Sequence, residues 1–345
     1  MSIVLATLGI SLFLSYQTHL VTSQQDVQQR KPHPLRLKFT KNAERKYHIT
    51  THVSIQSISI KNLSDSLRQS LLKYSDHQDI RSAYLKLSHT IRKTVVKVKP
   101  GGSGEIESSG DPLTIESIEI NNKPFQSIQL PHRVPKDPGQ SPITFELSSQ
   151  RRLTQLDKRK DIQKLLGVER GLYHELVEMI NNLQAFPDHD LSPGESWTYR
   201  TSKSIPLNQL SPSMPLNSGT LTMKIKMEHT LKKTDEEKYY LSHRYSGDLS
   251  LTLRVQGVAG DFQLTVEGTG ESVLNHREGL SYSSRFVSDF DFKGTIELDG
   301  PLADRYGQPE FRMKGKITHQ SVPTALYSFH YKIPYPSVFS FLKLY

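Results

Sequence analysis

The sequence predicts a mainly β protein of the α+β class: a large twisted antiparallel sheet, able to curve into a half-barrel, with a mid-chain helical block packed on it. Three patterns predict this class. Apolar and polar residues alternate through two long regions, 34–150 and 187–320. Apolar residues recur every three or four positions in the block between them, 151–186. Clusters of Gly, Pro, Asn and Asp separate the alternating runs, as turns do in antiparallel sheets.

The N-terminal β region, 34–150, opens with two alternating runs. Leu35 to Phe39 alternates strictly between apolar and polar residues, and a second run extends from Tyr47 to Ile60. The alternation slips near Ser57, which indicates a β-bulge. A turn-forming segment separates the two runs, so we expect them to pair as a β-hairpin.

The helical block, 151–186, is predicted to form two helices. Its apolar residues lie on one helical face, with a break between Gly167 and Gly171. Phe186 precedes Pro187, and the residue before a proline disfavours helical geometry, so we expect the second helix to end there. The apolar positions are Ile162, Leu165, Leu166, Leu172, Leu176, Val177, Ile180 and Leu183.

The C-terminal β region, 187–320, contains many short alternating segments at regular spacing, with Gly or Asp between them. This spacing favours antiparallel strands over βαβ units. Polar residues at every second position predict a sheet with one solvated face. Phe290 and Phe292 alternate with Asp289 and Asp291, which predicts a strand with one apolar and one acidic face.

Both ends of the sequence carry distinctive segments. Ile3 to Leu14 is an apolar run that suits a signal peptide and is too short to span a bilayer. We therefore expect a signal peptide over 1–23 and a flexible lead-in over 24–33. The other end is an aromatic tail, 321–345. Alternating aromatics are also typical of the last strand of an outer-membrane barrel, an alternative that Lys and Glu in the other segments disfavour.

Composition bounds the location and the partners. None of the 345 residues is Cys, which excludes disulfides, thiol nucleophiles and Cys-zinc sites. From the predicted signal peptide, we expect a periplasmic or secreted protein of the cell envelope. The net charge of +9 is dispersed among carboxylates without a basic stripe, so we expect no nucleic-acid partner. A lipid or another amphiphile, or an anionic envelope component, is the expected partner; the sequence leaves the oligomeric state open.

Candidate catalytic and metal-binding groups do not form a recognisable site. His48 and His52 are four positions apart on a predicted strand, which separates them by about 13 Å, too far to share one ion. The trio Asp188–Asp190 suits a solvated turn better than an acid–base cluster. Ser103 lies in a glycine cluster without the following helix that a nucleophile elbow needs. We therefore expect no catalytic residue, no metal and no cofactor, and a protein that is not an enzyme.

One segment is distinctive. Phe186-Pro187 is followed by Pro193-Gly194-Glu195-Ser196-Trp197. This segment resembles one in an uncharacterised family of exported bacterial proteins, a domain of unknown function. The resemblance implies N-terminal strands, a middle helix and a C-terminal run of strands, but this chain lacks the lipoprotein Cys and adds the aromatic tail.

Four residues of this segment are the candidate site: Trp197, Phe186, Pro187 and Gly194. Pro193 and Gly194 predict a tight turn, and Trp197, the only tryptophan, is expected to anchor the helices on the sheet. The alternative is that Trp197 stacks on a ligand in an open groove.

The sequence thus favours a non-catalytic exported envelope protein that binds an apolar or amphiphilic ligand between sheet and helices. Two alternatives remain open: an adhesive or structural surface protein without a pocket, and a hydrolase with an unrecognised site.

Overall fold

A computed structural model describes residues 34–65, 81–111, 113–124, 142–156, 181, 183–206, 218–255 and 258–324. The predicted signal peptide, the lead-in, most of the helical block and the aromatic tail beyond 324 lie outside these residues. The described strands are β1 (Glu44–Leu63), β2 (Ala83–Val98), β3 (Gly104–Gly110), β4 (Thr114–Ile120), β5 (Lys123–Pro124), β6 (Ile143–Leu147), β7 (Leu153–Leu156), β8 (Ser196–Pro206), β9 (Ser218–Thr234), β10 (Lys238–Val255), β11 (Val258–Asn275), β12 (Leu280–Leu298) and β13 (Gly307–Pro323). One helix, α1 (Pro301–Tyr306), connects β12 to β13.

All thirteen strands belong to one antiparallel sheet. Their order is β7-β6-β3-β2-β1-β13-β12-β11-β10-β9-β8, with β4 and β5 off this path next to β2. The stretch from β8 to β13 is a meander in which each strand pairs with the next along the chain. The first strand, β1, then pairs with the last, β13, over Tyr47–Leu63. This pairing joins the two predicted β regions into a single sheet.

The prediction that a mid-chain helical block packs on the sheet is wrong. Strands account for 73% of the described residues and helix for 5%, and α1 is the one short helix among them. The start of the predicted block forms the strand β7, and residues 181, 183 and 184 near its end are helical. The helical prediction failed here because residues 153–156 pair with β6. No local sequence pattern reveals this pairing. Residues 157–180 lie outside the described chain.

The segment Leu35–Phe39 is not the strand that its alternation predicts. Its backbone crosses from one part of the sheet to another, because Leu37 N–H donates to Ser149 O (2.7 Å) and Lys38 N–H donates to His276 O (2.6 Å). Leu35, Leu37 and Phe39 are nevertheless buried. Alternation here reflects burial of every second side chain without strand pairing to β1. The predicted bulge near Ser57 is confirmed, as the β1–β13 register shifts between Ile55 and Ser57.

The strands of the C-terminal region are much longer than the sequence segments suggested. Gly268 and Gly270, which look like turn residues, lie in the middle of the 18-residue strand β11. A Cβ on Gly270 would come within 2.2 Å of the Phe286 ring, and one on Gly268 within 2.5 Å of the Tyr245 ring. Glycine is therefore needed where an aromatic side chain of the neighbouring strand lies over the backbone.

The sheet has two chemically different faces. Along β10, for example, Tyr245, Leu249 and Leu251 point to one face, and the exposed Asp248 and Ser250 point to the other. We call these the inner and outer faces. Inner-face residues of β2 and β3 share one apolar cluster with residues of β8 to β12. The sheet must therefore curve, because these strands lie far apart in its order.

We predict that Gly270→Ala destabilises the protein by about 1–3 kcal/mol, because the new methyl group overlaps the buried Phe286 ring. Gly247→Ala, also on the inner face, is the control, since its Cβ would lie 3.9 Å from the nearest atom. Urea unfolding followed by circular dichroism measures both. Equal stability of the two variants would mean that Phe286 does not lie over Gly270.

Candidate functional site

The inner face is arranged in three levels along the strands. At one end lies the floor cluster, an apolar core to which Trp197, Leu231, Leu241, Leu274 and Leu280 belong. Two residues along β9, β10 and β11 from Leu231, Leu241 and Leu274, the inner-face side chains are polar: His229, His243 and Ser272. Beyond them lies a second apolar core, the upper cluster, formed by Val53, Leu183, Ile205, Met223, Ile225, Met227, Tyr245, Leu264, Phe286, Phe290 and Ile317.

The structure brings Trp197 and Phe186 together in the floor cluster. Their rings meet edge to face with centroids 6.5 Å apart. Trp197 Nε1–H donates to Ala185 O (3.2 Å), and its ring stacks on His229 at 4.9 Å. Trp197 is 7% exposed and Phe186 is fully buried. In this position both rings contribute to the core.

Pro187 and Gly194 belong to the segment that connects Phe186 to Trp197. Pro187 is buried directly after Phe186, and Gly194 is exposed in the turn before β8. Gly194 has φ +97°, a left-handed conformation that favours glycine. Its N–H donates to Leu231 O (2.6 Å), which attaches the turn to the end of β9. The turn therefore positions Trp197 at the start of β8.

The level between the two apolar clusters is a layer of buried polar residues. We call it the polar layer: Thr51, His229, His243, Ser272, Ser284, His319 and Ser321, all under 7% exposed.

Hydrogen bonds in the polar layer follow a single direction. His229 Nε2 lies 2.8 Å from Leu183 O, which can only accept, so Nε2 carries the proton. Neutral His229 must then accept at Nδ1, where His243 Nδ1 lies at 2.7 Å and donates. His243 Nε2 consequently accepts from the Ser272 hydroxyl at 2.8 Å. Each tautomer follows from its neighbour.

Burial keeps these imidazoles neutral. It lowers the pKa of His229 to about 3, with a further lowering by the charge of Arg151. The pKa of His243 is lowered well below its usual value by burial and then by His229. Burial also lowers the pKa of His319 to about 3. A charged imidazole has no compensating carboxylate in this layer, so the neutral form is strongly favoured.

The other side of the polar layer contains unsatisfied groups. Ser272, Ser284 and Ser321 are in register on β11, β12 and β13. Within the described chain, the hydroxyls of Ser284 and Ser321 are buried without a hydrogen-bond partner. The same holds for His319 Nε2, although His319 Nδ1 lies 2.9 Å from Thr51 Oγ1. Buried polar groups are normally paired, so these atoms mark a place where a ligand or water completes the structure.

Burial lowers the pKa values of two cations, Lys93 and Arg151. Lys93 on β2 lies with its Nζ 5.9 Å from the centre of the Tyr47 ring. Arg151 lies between β6 and β7, and its charge lowers the pKa values of Lys93, His229 and His243. Burial is the main cause that lowers the pKa of Lys93 to about 8 and that of Arg151 to about 10.

The groups considered as metal or acid–base sites from sequence are not assembled into one. His52 Nδ1 lies 3.1 Å from the Tyr84 hydroxyl, and Asp188 contacts Gln150 and Arg152. Among the described residues, no group of three or more His, Asp or Glu side chains is arranged to hold a metal ion. The described part of the chain also contains no helix that is long and apolar enough to cross a membrane.

Comparison with known proteins leaves the chain without a family. No protein-family profile and no curated protein matches it. Three solved structures are distantly similar. An OmpF structure from Salmonella typhi, in complex with daunomycin, has a TM-score of 0.22 and 7% sequence identity. The match covers 81% of this chain and 98% of the OmpF chain. OccK11 of Pseudomonas aeruginosa has a TM-score of 0.17 at 8% identity, covering 83% and 98%.

The third structure is an acetoacetate decarboxylase-like enzyme from Sphingomonas wittichii RW1. Its TM-score is 0.11 at 8% identity, and it covers 82% of this chain and 93% of its own. Likeness at these scores supports no argument about function.

Sequence reasoning missed the polar layer. His229 and His243 stand at positions where the alternation of β9 and β10 requires apolar residues, between Met227 and Leu231 and between Leu241 and Tyr245. A histidine in the apolar phase of a strand is the signal that could have identified them.

We predict that stability falls as the pH is lowered from about 6.5 toward 3. The folded-state pKa values of His229 and His319 are about 3, below the usual 6.5, so the unfolded chain binds more protons in this window. Stability is therefore complete above pH 6.5, and each such histidine removes about 1.4 kcal/mol per pH unit below it.

Urea titrations at pH 7, 6 and 5, followed by the fluorescence of Trp197, measure this dependence. His229→Gln should flatten the pH profile, whereas His189→Gln, at an exposed position, should leave it unchanged. A wild-type stability that is constant from pH 7 to 5 would contradict burial of neutral histidines.

Proposed function

We propose that the protein is an exported envelope protein that binds an apolar or amphiphilic ligand on the inner face of its curved sheet. The observation that carries this proposal is the part of the inner face that packs against the upper cluster. Apolar side chains continue there on neighbouring strands and are only partly buried, whereas the opposite face is polar. They are Ile55, Leu85, Leu221, Leu249, Val266, Phe292 and Met313.

These side chains form a continuous surface, because they are cross-strand neighbours. Leu249 is in register with Met223 on one side and Leu264 on the other, and Leu264 is in register with Phe292. Phe292 is in register with Met313. An alkyl chain lying across them would gain about 0.8 kcal/mol for each buried methylene group.

The charged side chains of the outer face also support this proposal. Asp291 on β12 pairs with Arg312 on β13 at 2.7 Å and lies near Lys314 at 3.7 Å. Charged rows of this kind favour contact with water. An apolar ligand therefore has one suitable face of this sheet to bind.

Export is supported by the sequence, through the apolar run from Ile3 to Leu14 and the small-residue cleavage position at Ser23. The similarity of the Trp197 segment to an exported bacterial family points the same way.

One observation favours the hydrolase alternative. Ser272, His243 and His229 form a chain of hydrogen bonds like that of a nucleophile, a base and its orienting group. However, Ser272 is 3% exposed and His243 6% exposed, and the pKa of His243 is far too low for a base near neutral pH. This favours a structural role for the chain and a binding function for the protein.

Paired variants test the binding face. We predict that Leu249→Lys weakens binding of the neutral apolar probe N-phenyl-1-naphthylamine, because it places a charge on the partly buried apolar surface. Ser250→Lys, the same substitution at the next residue on the outer face, should bind the probe like the wild type. Fluorescence titration measures both. Absence of probe binding by the wild type, or equal binding by the two variants, would favour the adhesive or structural alternative.

Export has its own test. The intact mass of the protein recovered from the envelope of its host should correspond to a chain that begins at Gln24. A mass that includes residues 1–23 would contradict signal-peptide cleavage.

A further inference from the structure

The inner face has an apolar row at the end of the sheet opposite the floor cluster. On β10 this row lies at Leu251, eight residues from His243 of the polar layer. Its members are direct cross-strand neighbours, except on β12, where a Cβ on Gly294 would come within 2.5 Å of the Phe262 ring. That ring therefore covers the gap. We call this row the apolar rim: Leu221 on β9, Leu251 on β10, Phe262 on β11, Phe311 on β13 and Ile60 on β1.

Exposure increases along the strands toward the apolar rim. At the level of the polar layer, His229 and His243 are 3% and 6% exposed. Eight residues further along the same two strands, Leu221 and Leu251 are half-buried. Ile60, at the β1 end of the rim, is 44% exposed. A row of apolar side chains that meets water in this way is typical of an interaction surface.

Helix α1 adds a further apolar side chain at this end of the sheet. The helix connects β12 to β13, none of its residues is buried, and Leu302 is 40% exposed. Its last turn is attached to the end of β1, because Ser64 N–H donates to Tyr306 O (3.2 Å). Leu302 and Ile60 therefore lie at the same end of the molecule.

The apolar rim is continuous with the surface on which we propose that the ligand binds. The Phe262 ring stacks on Phe292 with centroids 6.1 Å apart. Phe311 is two residues along β13 from Met313, so both point to the inner face. Phe292 and Met313 belong to the partly buried apolar side chains beside the upper cluster. An apolar molecule at the rim can therefore reach the binding surface without leaving apolar contacts.

We propose that the apolar rim, together with Leu302, binds to the surface of a lipid bilayer and that the amphiphilic ligand passes between this bilayer and the inner face. The inference rests on the proposed function and names the partner that supplies the ligand. The floor cluster fills the opposite end of the inner face with buried side chains such as Trp197. Contact with the bilayer is therefore expected at the rim.

The chemistry of this end favours a bilayer over a second protein surface. The rim follows a curved sheet, and a fluid hydrocarbon surface can accept such a row without a matching shape. Exposed charges of both signs lie beside it, including Lys61, Asp304 and Arg305. The contact itself is therefore apolar, and its strength depends on the apolar area that enters the membrane. The net charge of +9 favours approach to an anionic membrane.

A tryptophan placed in the rim would report contact with hydrocarbon. We expect the emission of Ile60→Trp to shift to the blue when vesicles of phosphatidylcholine and phosphatidylglycerol in equal parts are added, and brominated phosphatidylcholine to quench it. Val98→Trp is the matched control, because Val98 is 38% exposed but lies three residues beyond Val95 of the floor cluster. Its emission should not change. The buried Trp197 contributes the same background to both variants.

Removal of the apolar side chains tests whether they carry the binding. Combining Ile60→Ser with Leu302→Ser should lower the vesicle partition coefficient, measured by flotation of the full-length protein, by about tenfold or more. Val98→Ser should partition like the wild type. The substituted positions are exposed, so the fold should be retained, which circular dichroism checks. All variants should bind N-phenyl-1-naphthylamine like the wild type, because the surface near Leu249 is unchanged.

Three results would overturn the inference. The wild type could fail to float with vesicles, or the Ile60→Ser and Leu302→Ser combination could float like Val98→Ser. Sedimentation could instead show a dimer that Ile60→Ser dissociates, which would assign the rim to a second copy of the chain. In each case, binding of N-phenyl-1-naphthylamine by the wild type would show that the proposed function still holds. Absence of that binding would reject the proposed function itself.

Discussion

The pairing of β1 with β13 is the constraint on which the rest of the structure depends. It joins strands from opposite ends of the described chain over 15 register pairs, and contacts such as Thr51 with His319 connect residues 268 positions apart. Closing so long a loop is entropically unfavourable. The entropic cost of this pairing is offset by apolar burial on the inner face. The pairing brings the apolar residues of β1 and β2 beside those of β12 and β13. Without it, each half of the sheet would expose an apolar edge.

The polar layer within this face is energetically costly, because it buries polar groups. Three buried histidines and a row of serines lie where apolar residues would pack more favourably. Part of the cost is offset by the directional chain from Ser272 through His243 to His229 and Leu183. Among the residues that the structure describes, the part that is not offset lies at the hydroxyls of Ser284 and Ser321 and at His319 Nε2. Buried polar groups that remain unpaired are expected at sites of function, where a bound partner completes them.

The two faces of the sheet divide structure and binding between them. The outer face holds charged rows that keep the sheet in water, and the floor cluster holds the chain segments that cross the end of the sheet. Trp197 and Phe186 belong to this floor, where they contact each other and His229. The face that remains for a ligand is the partly buried apolar surface near Leu249.

Much of the strand structure follows from the sequence alone, whereas the site does not. A period of two is a local property, so it identified segments of β9 to β12 and the bulge in β1 directly from the order of residues. It could not show that Leu35 to Phe39 crosses between distant backbones, nor that the start of the helical block pairs with β6, because both depend on partners far along the chain. His229 and His243 come from two strands joined by register. Their proximity was decided only by the tertiary structure, since pairing and curvature determine which side chains of distant strands share one interior.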